Sequence, residues 1–287
     1  MNNDLLAADT AMGPVTLLVG DLDAMTKYYR DAISLRVLSE AGSTVTLGRG
    51  TTPVVILQHA PQLKHASQRE AGLYHTAILF DSEEALAASV YSVAQKYPIT
   101  FTGSADHLVS KAFYFTDPEG NGVELYWDRD RSAWSWVHGS IEMSTLYLDP
   151  NAFLQEHLTE GAVSEPVVGG ARVGHVHLQV GDVATAREFY VNRLGFAATA
   201  ELGDSALFVS AGGYHHHMAM NTWNSRGAGP RQRALGLSRI DIAVPTPDDV
   251  GALVERMTHH GIQTRDDGST VTFDDPWANT ISVASAN

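Results

Sequence analysis

Three residues of this 287-residue chain have the types and placement to hold a metal ion together: His75 in HTAILF, His175 in HVHLQV and Glu124 in NGVELYW. Each lies in a run that alternates like a β-strand, where residues two apart share a face. Two imidazoles and one carboxylate brought to one side from three strands make a facial triad. That donor set suits non-heme iron(II), because about three of six octahedral positions stay open for other ligands. Each residue also has an ordinary structural use. A lone His on a strand is more often a hydrogen-bonded, half-buried residue than a ligand, and a Glu in a half-buried strand usually faces solvent. What favours the ligand reading is that the three fall at corresponding places of an internal repeat.

The repeat has two versions. GPVTLLVGDLDAMTKYY from Gly13 matches GHVHLQVGDVATAREFY from Gly174 in its glycines, alternating Val/Leu positions, GD pair and closing aromatic-Tyr. Each reads as a strand, a turn and an amphipathic helix, with Asp21 and Asp182 where a helix N-cap wants a carboxylate. GLYHTAILF from Gly72 matches GLSRIDIAV from Gly236; each leads into an acidic helix start, and the two units close with FTDPEGNGVEL and FDDPWANTISV. The chain is therefore expected to carry four βαβββ modules near 13–60, 72–128, 174–222 and 236–284, paired into two cupped mixed sheets of an α+β fold. The expected organisation is an N-terminal domain over 1–136, a linker over 137–171 with one short helix at DPNAFLQEHL, and a C-terminal domain over 172–287. Trp134 and Trp136 are expected to pack the linker. The place of His75 and His175 is taken by Pro14 in the first module and Arg239 in the fourth, and that of Glu124 by Ser282 in the fourth. Only the second and third modules keep metal-competent groups, so these two are expected to share a cup, within a chain or across a dimer, and the first and fourth to form a metal-free one.

Composition narrows the function. With 44% hydrophobic and 18% charged residues the chain can bury one or two sizeable cores. A net charge of -14, spread along the chain, argues against nucleic acid and anionic membrane surfaces as partners. Cysteine is absent, which removes disulfides, thiolate metal sites and a cysteine nucleophile. No secretory signal is visible in MNNDLLAADTAMG, and no apolar run reaches the roughly 18 residues that span a bilayer, so a cytoplasmic protein is expected.

The segment ADHLVSKAFYFTDPEGNGVE, residues 105 to 124, resembles the extradiol signature of the glyoxalase/bleomycin-resistance/extradiol dioxygenase superfamily, the vicinal oxygen chelate fold. It holds a His, a spacer, an aromatic residue followed by Tyr, an acidic-Pro pair, a Gly and the metal-binding Glu. Ala105 departs from the Gly, Asn, Thr, Ile or Val preferred there, a position with no side-chain chemistry assigned. The resemblance covers nearly the whole chain and is greatest to two-domain bacterial catechol-2,3-dioxygenases. It implies a ring-cleaving dioxygenase acting on a catechol and O2, with iron(II), or manganese(II), held by His75, His175 and Glu124. His107 resembles the substrate-contacting His, and Tyr114 the Tyr that donates a hydrogen bond to the bound catecholate. In GGYHHHMAMNTW, His216 aligns best with the acid/base His. Strand alternation would put His215 and His217 on the opposite face, so the register among the three, and with it their part in substrate binding, stays open. His177 is read either as orienting a ligand or substrate or as a plain core residue. Trp223 and the loop NSRGAGPRQR are read as a pocket wall or lid, or as an ordinary solvated connection. In the better-known two-domain members the ligands come from the last two modules, and here they come from the second and third. Exposed sheet edges in this fold commonly associate, so a homo-oligomer is expected.

Two other activities fit the same fold. A glyoxalase-like metal-dependent lyase or isomerase would need a fourth protein ligand, usually a second Glu or Gln, where the third module has its His cluster. A metal-free binding protein of the bleomycin-resistance kind would have no use for three intact ligands.

Overall fold

The computed structural model describes residues 5–286; the first four residues of the segment read for a secretory signal lie outside them. Among the described residues, no helix is long and apolar enough to cross a membrane. Strands and helices follow the four-module plan. The first module comprises β1 (Ala11–Val19), α1 (Leu22–Lys27) continued by a π-helical turn, β2 (Arg36–Ala41), β3 (Thr44–Arg49) and β4 (Thr52–His59). The second has β5 (Gly72–Phe80), α2 (Glu83–Lys96), β6 (Phe101–Asp106), β7 (Ser110–Thr116) and β8 (Gly122–Asp128). The connecting segment holds β9 (Trp136–Val137), β10 (Ser140–Ile141), β11 (Leu146–Tyr147), α3 (Pro150–His157) and α4 (Glu160–Ser164). The third module has β12 (Ala171–Gln179), α5 (Val183–Arg187) with its own π-helical turn, β13 (Ala197–Leu202), β14 (Ala206–Ser210) and β15 (Met218–Asn221). The fourth has β16 (Gly236–Val244), α6 (Pro247–His259), β17 (Arg265–Asp266), β18 (Thr270–Asp274) and β19 (Thr280–Ser285).

These strands make two mixed sheets, plus the β9–β10 ladder, as the α+β reading requires. By packing, the chain divides into two compact units. One runs to Thr16 and takes in His65–Tyr74 and the chain from His175; the other holds Leu17–Lys64 and His75–Gly174. In the second of these the strand orders are β11-β6-β7-β8-β5 and β4-β3-β2, and in the first they are β12-β15-β14-β13 and β17-β18-β19-β16. First and last strands of a module run parallel, β5 beside β8, β12 beside β15 and β16 beside β19.

The repeated residues have repeated jobs. Asp21 and Asp182 cap α1 and α5, accepting the N–H of Ala24 at 2.9 Å and of Thr185 at 2.7 Å. The Asp-Pro turns ahead of β8 and β19 are built alike. Asp117 accepts the N–H groups of Glu119 and Asn121 and the Asn121 amide; Asp275 accepts the N–H groups of Trp277 and Asn279 and the Asn279 amide. The closing Tyr of each preceding module completes the set, Tyr29 donating to Asp117 at 3.1 Å and Tyr190 to Asp275 at 2.7 Å. Burial pushes the Asp117 carboxyl up to about 6, opposed by these hydrogen bonds, and pushes Asp275 upward as well.

Gly13 in β1 and Gly174 in β12 are needed for close approach. A Cβ on Gly13 would come within 2.9 Å of the Asp241 Cβ on β16, and one on Gly174 within 2.9 Å of the Leu79 Cβ and onto the Tyr126 hydroxyl. In the connecting segment the expected helix is α3, begun by Asp149, whose carboxylate accepts the Asn151 N–H at 2.9 Å. Trp134 is buried and donates its indole N–H to the Arg129 carbonyl at 3.1 Å. Trp136 corrects the sequence expectation: it lies half exposed on β9 and packs no linker core, because the short β9–β10 hairpin turns it to solvent.

Candidate metal centre

His75 stands in β5 and Glu124 directly beside that strand in β8, where the parallel register pairs Glu124 with Ala77. The His75 Nε2 comes 2.9 Å from the Glu124 Oε2. His175 stands in the middle of β12, one residue after the close-packed Gly174. The ligand atoms of His75, Glu124 and His175 all lie within 4.8 Å of one another, and the three side chains are buried, at 7%, 2% and 2% exposure. Buried ionisable groups so close need a partner of opposite charge or a shared proton, and two imidazole nitrogens with one carboxylate oxygen are a donor set for a divalent cation. The residues present therefore fit a metal.

Around His175 the third module supplies rings. His216 packs against it with centroids 4.1 Å apart, and His215 lies farther out at 6.0 Å. The expected strand alternation over His215, His216 and His217 does not hold. Residues 211–217 form a turn ahead of β15, with Gly212 and Gly213 at φ +61° and +66°, so neighbouring side chains are not forced to opposite faces. The Nδ1 atoms of His215 and His216 consequently meet at 2.8 Å. The His217 Nδ1 instead accepts the backbone N–H of Ala211 at 3.2 Å, and its ring packs on Phe196 and Tyr214.

His107 and Tyr114 form a pair beside Glu124. Tyr114 is the antiparallel neighbour of Glu124 across β7 and β8, and its ring lies 5.8 Å from that of His75. The His107 Nδ1 lies 2.6 Å from the Ser144 carbonyl, and its Nε2 lies 2.7 Å from the Tyr114 hydroxyl. A carbonyl only accepts, so Nδ1 carries a proton. The Ser144 carbonyl is a contribution from the connecting segment that no side-chain motif announces.

His177 shares the His175 face of β12 two residues on. It is buried and meets the Asn221 amide at 3.0 Å through Nε2. Tyr74 and Trp223 lie against its ring, at 5.0 and 5.5 Å. Tyr74 and Asn221 were not among the residues expected from the sequence. The loop after Trp223 is tied down rather than lid-like: the Trp223 N–H reaches the Asn221 Oδ1 at 3.1 Å and the Ser225 hydroxyl reaches the Val180 carbonyl at 2.9 Å.

The family model described as the Glyoxalase/Bleomycin resistance protein/Dioxygenase superfamily matches residues 11–125 and 172–283. The chain is 34% identical to the catechol-2,3-dioxygenase of Bacillus subtilis (strain 168) over 273 residues, which are 93% of this chain and 94% of that protein. A solved structure from Bacillus subtilis subsp. subtilis str. 168 superposes with a TM-score of 0.65 at 14% identity, covering 98% of this chain and 86% of the other. Glyoxalase I from Zea mays superposes with a TM-score of 0.59 at 15% identity, covering 96% and 92%. At such identities the two structures speak for the fold alone, whereas the family model and the sequence relative extend over most of the chain: it belongs to the Glyoxalase/Bleomycin resistance protein/Dioxygenase superfamily.

Proposed function

We propose that the chain is an extradiol ring-cleaving dioxygenase that inserts both atoms of O2 into a catechol-type substrate, with iron(II), or manganese(II), held by His75, His175 and Glu124. The observation that carries this reading is the buried set of two imidazoles and one carboxylate, its donor atoms within 4.8 Å of one another. The 34% identity to a protein named catechol-2,3-dioxygenase supports it. Bound there, the metal would accept both catecholate oxygens and dioxygen in its open positions and carry electrons between them.

The remaining work falls to the protein. Imidazole changes charge near neutral pH, which suits His216 to take the phenolic proton and return it later. Its Nδ1 faces the Nδ1 of His215, and with the shared proton on the His216 Nδ1 the lone pair of its Nε2 is left for the substrate. With its Nδ1–H on the Ser144 carbonyl, a singly protonated His107 accepts the Tyr114 O–H. If the second phenolic proton of the catechol passes to its Nε2, His107 donates to the Tyr114 oxygen, and the Tyr114 O–H is released to donate to a substrate oxygen. Burial of the three ligands keeps bulk water from competing.

Metal content and turnover of the same protein preparations test the assignment. His75→Ala, His175→Ala and Glu124→Ala should each lose bound iron and ring opening together. Tyr114→Phe should keep the iron and lose rate. Full iron occupancy in His175→Ala or Glu124→Ala would reject the ligand set.

A further inference from the structure

We infer that Tyr74 and Trp223 form an aromatic wall that reads the ring substituent, so that the preferred substrates are catechols carrying an apolar alkyl or aryl group. The inference rests on the catechol reading above. β12 turns His175, His177 and Gln179 to one side, two residues apart each time. From His175 a continuous series of rings leads outward: His216 at 4.1 Å, then Phe208 at 5.1 Å from His216, then His177 at 6.0 Å from Phe208. Tyr74 and Trp223 close the series edge to face, 5.4 Å apart. His175, His177 and His216 are buried, whereas Trp223 is 49% exposed, so the series starts at the ligand and ends at solvent.

This half-exposed indole is held in place. The loop is fixed by its own hydrogen bonds, including Asn224 to Gln179 at 3.3 Å and the Gly227 N–H to the Gly181 carbonyl at 2.8 Å. Preformed apolar walls with few polar groups recognise apolar substituents. The chemistry of the wall also disfavours a charged substituent. Phenol and indole present apolar ring faces, and Arg226 of the same loop is turned to Asp204 at 3.0 Å.

Anaerobic calorimetric titration of iron(II)-loaded protein with 4-ethylcatechol, catechol and 3,4-dihydroxybenzoate reads the wall without turnover. Burying two further carbons should make 4-ethylcatechol bind roughly tenfold tighter than catechol, with no such gain for the carboxylate. Trp223→Ala should shrink the preference to about twofold, and Trp223→Phe should restore part of it. Equal affinity for ethylcatechol and catechol, a preference that survives Trp223→Ala, tighter binding of the carboxylate, or no measurable binding of any of the three would overturn the inference. Ring opening in air is scored separately. A protein that shows the preference but opens no ring keeps the wall and loses the dioxygenase reading; one that opens rings without the preference loses only the wall.

Discussion

His216 and His217 are neighbours with unlike surroundings, and their replacement should show it. His216 packs on His175 and shares a 2.8 Å contact with His215. Removing a proton-transferring imidazole costs about 10²–10⁴-fold in rate, so His216→Ala should lose turnover by that order while retaining iron. His217 accepts a buried backbone N–H, that of Ala211. His217→Phe would strand that N–H at about 1–3 kcal/mol in stability and should leave the rate per folded, iron-loaded molecule near wild type. The reverse pattern would exchange their roles. At Asp117 the consequence is in pH. Burial raises its carboxyl to about 6 in the folded chain, against about 3.9 for an unfolded Asp. The folded state therefore binds this proton more tightly. The stability it contributes is fully present below about pH 4 and is lost as pH rises through about 6, a change of about 2–3 kcal/mol. Urea unfolding from pH 4 to 7 should show wild type losing that amount relative to Asp117→Asn; a constant difference would contradict the raised carboxyl.

Among elements, the first strands of the modules carry most of the specification, and their glycines are part of it. Gly174 precedes His175 and lies where a Cβ would meet Leu79 and Tyr126. Gly174→Ala should destabilise by about 1–3 kcal/mol through overpacking, and displacement of the next residue should weaken iron binding in competition with a chelator. Unchanged stability and metal affinity would mean that the approach at Gly174 is not needed. The strands and helices were legible in the sequence because β-alternation, the GD and acidic helix starts and the Asp-Pro turns recur at fixed spacing in GPVTLLVGD and GHVHLQVGD, and in FTDPEGNG and FDDPWANT. The same recurrence made His75, His175 and Glu124 visible. Over His215–His217 the strand of Met218–Asn221 is not yet under way, and the two glycines before it take left-handed conformations that make a turn, so strand alternation does not apply there. The partnership of Tyr29 with Asp117, and of Tyr190 with Asp275, joins residues 88 and 85 positions apart, a separation at which local patterning is silent.

For the whole molecule, a net charge of -14 favours solubility and repels polyanions, and it leaves an uncharged diol an easier guest than an organophosphate. The family followed from motifs that span both halves of the chain. The part played by the connecting segment did not: the Ser144 carbonyl on His107, and the carbonyls of Pro166 and Val168 on the buried Arg49, are backbone contributions that any residue could make. The central claim is that this scaffold opens a catechol ring with both oxygens of O2. The most direct test is to load the protein with iron(II) without air, add catechol under ¹⁸O2, and follow the yellow absorbance and the product mass. The account predicts a yellow ring-opened semialdehyde carrying two ¹⁸O atoms, aside from any label lost by exchange of its aldehyde oxygen with water. Iron-loaded protein that binds catechol yet forms no ring-opened product, or a product cleaved between the two hydroxyl-bearing carbons, would contradict it.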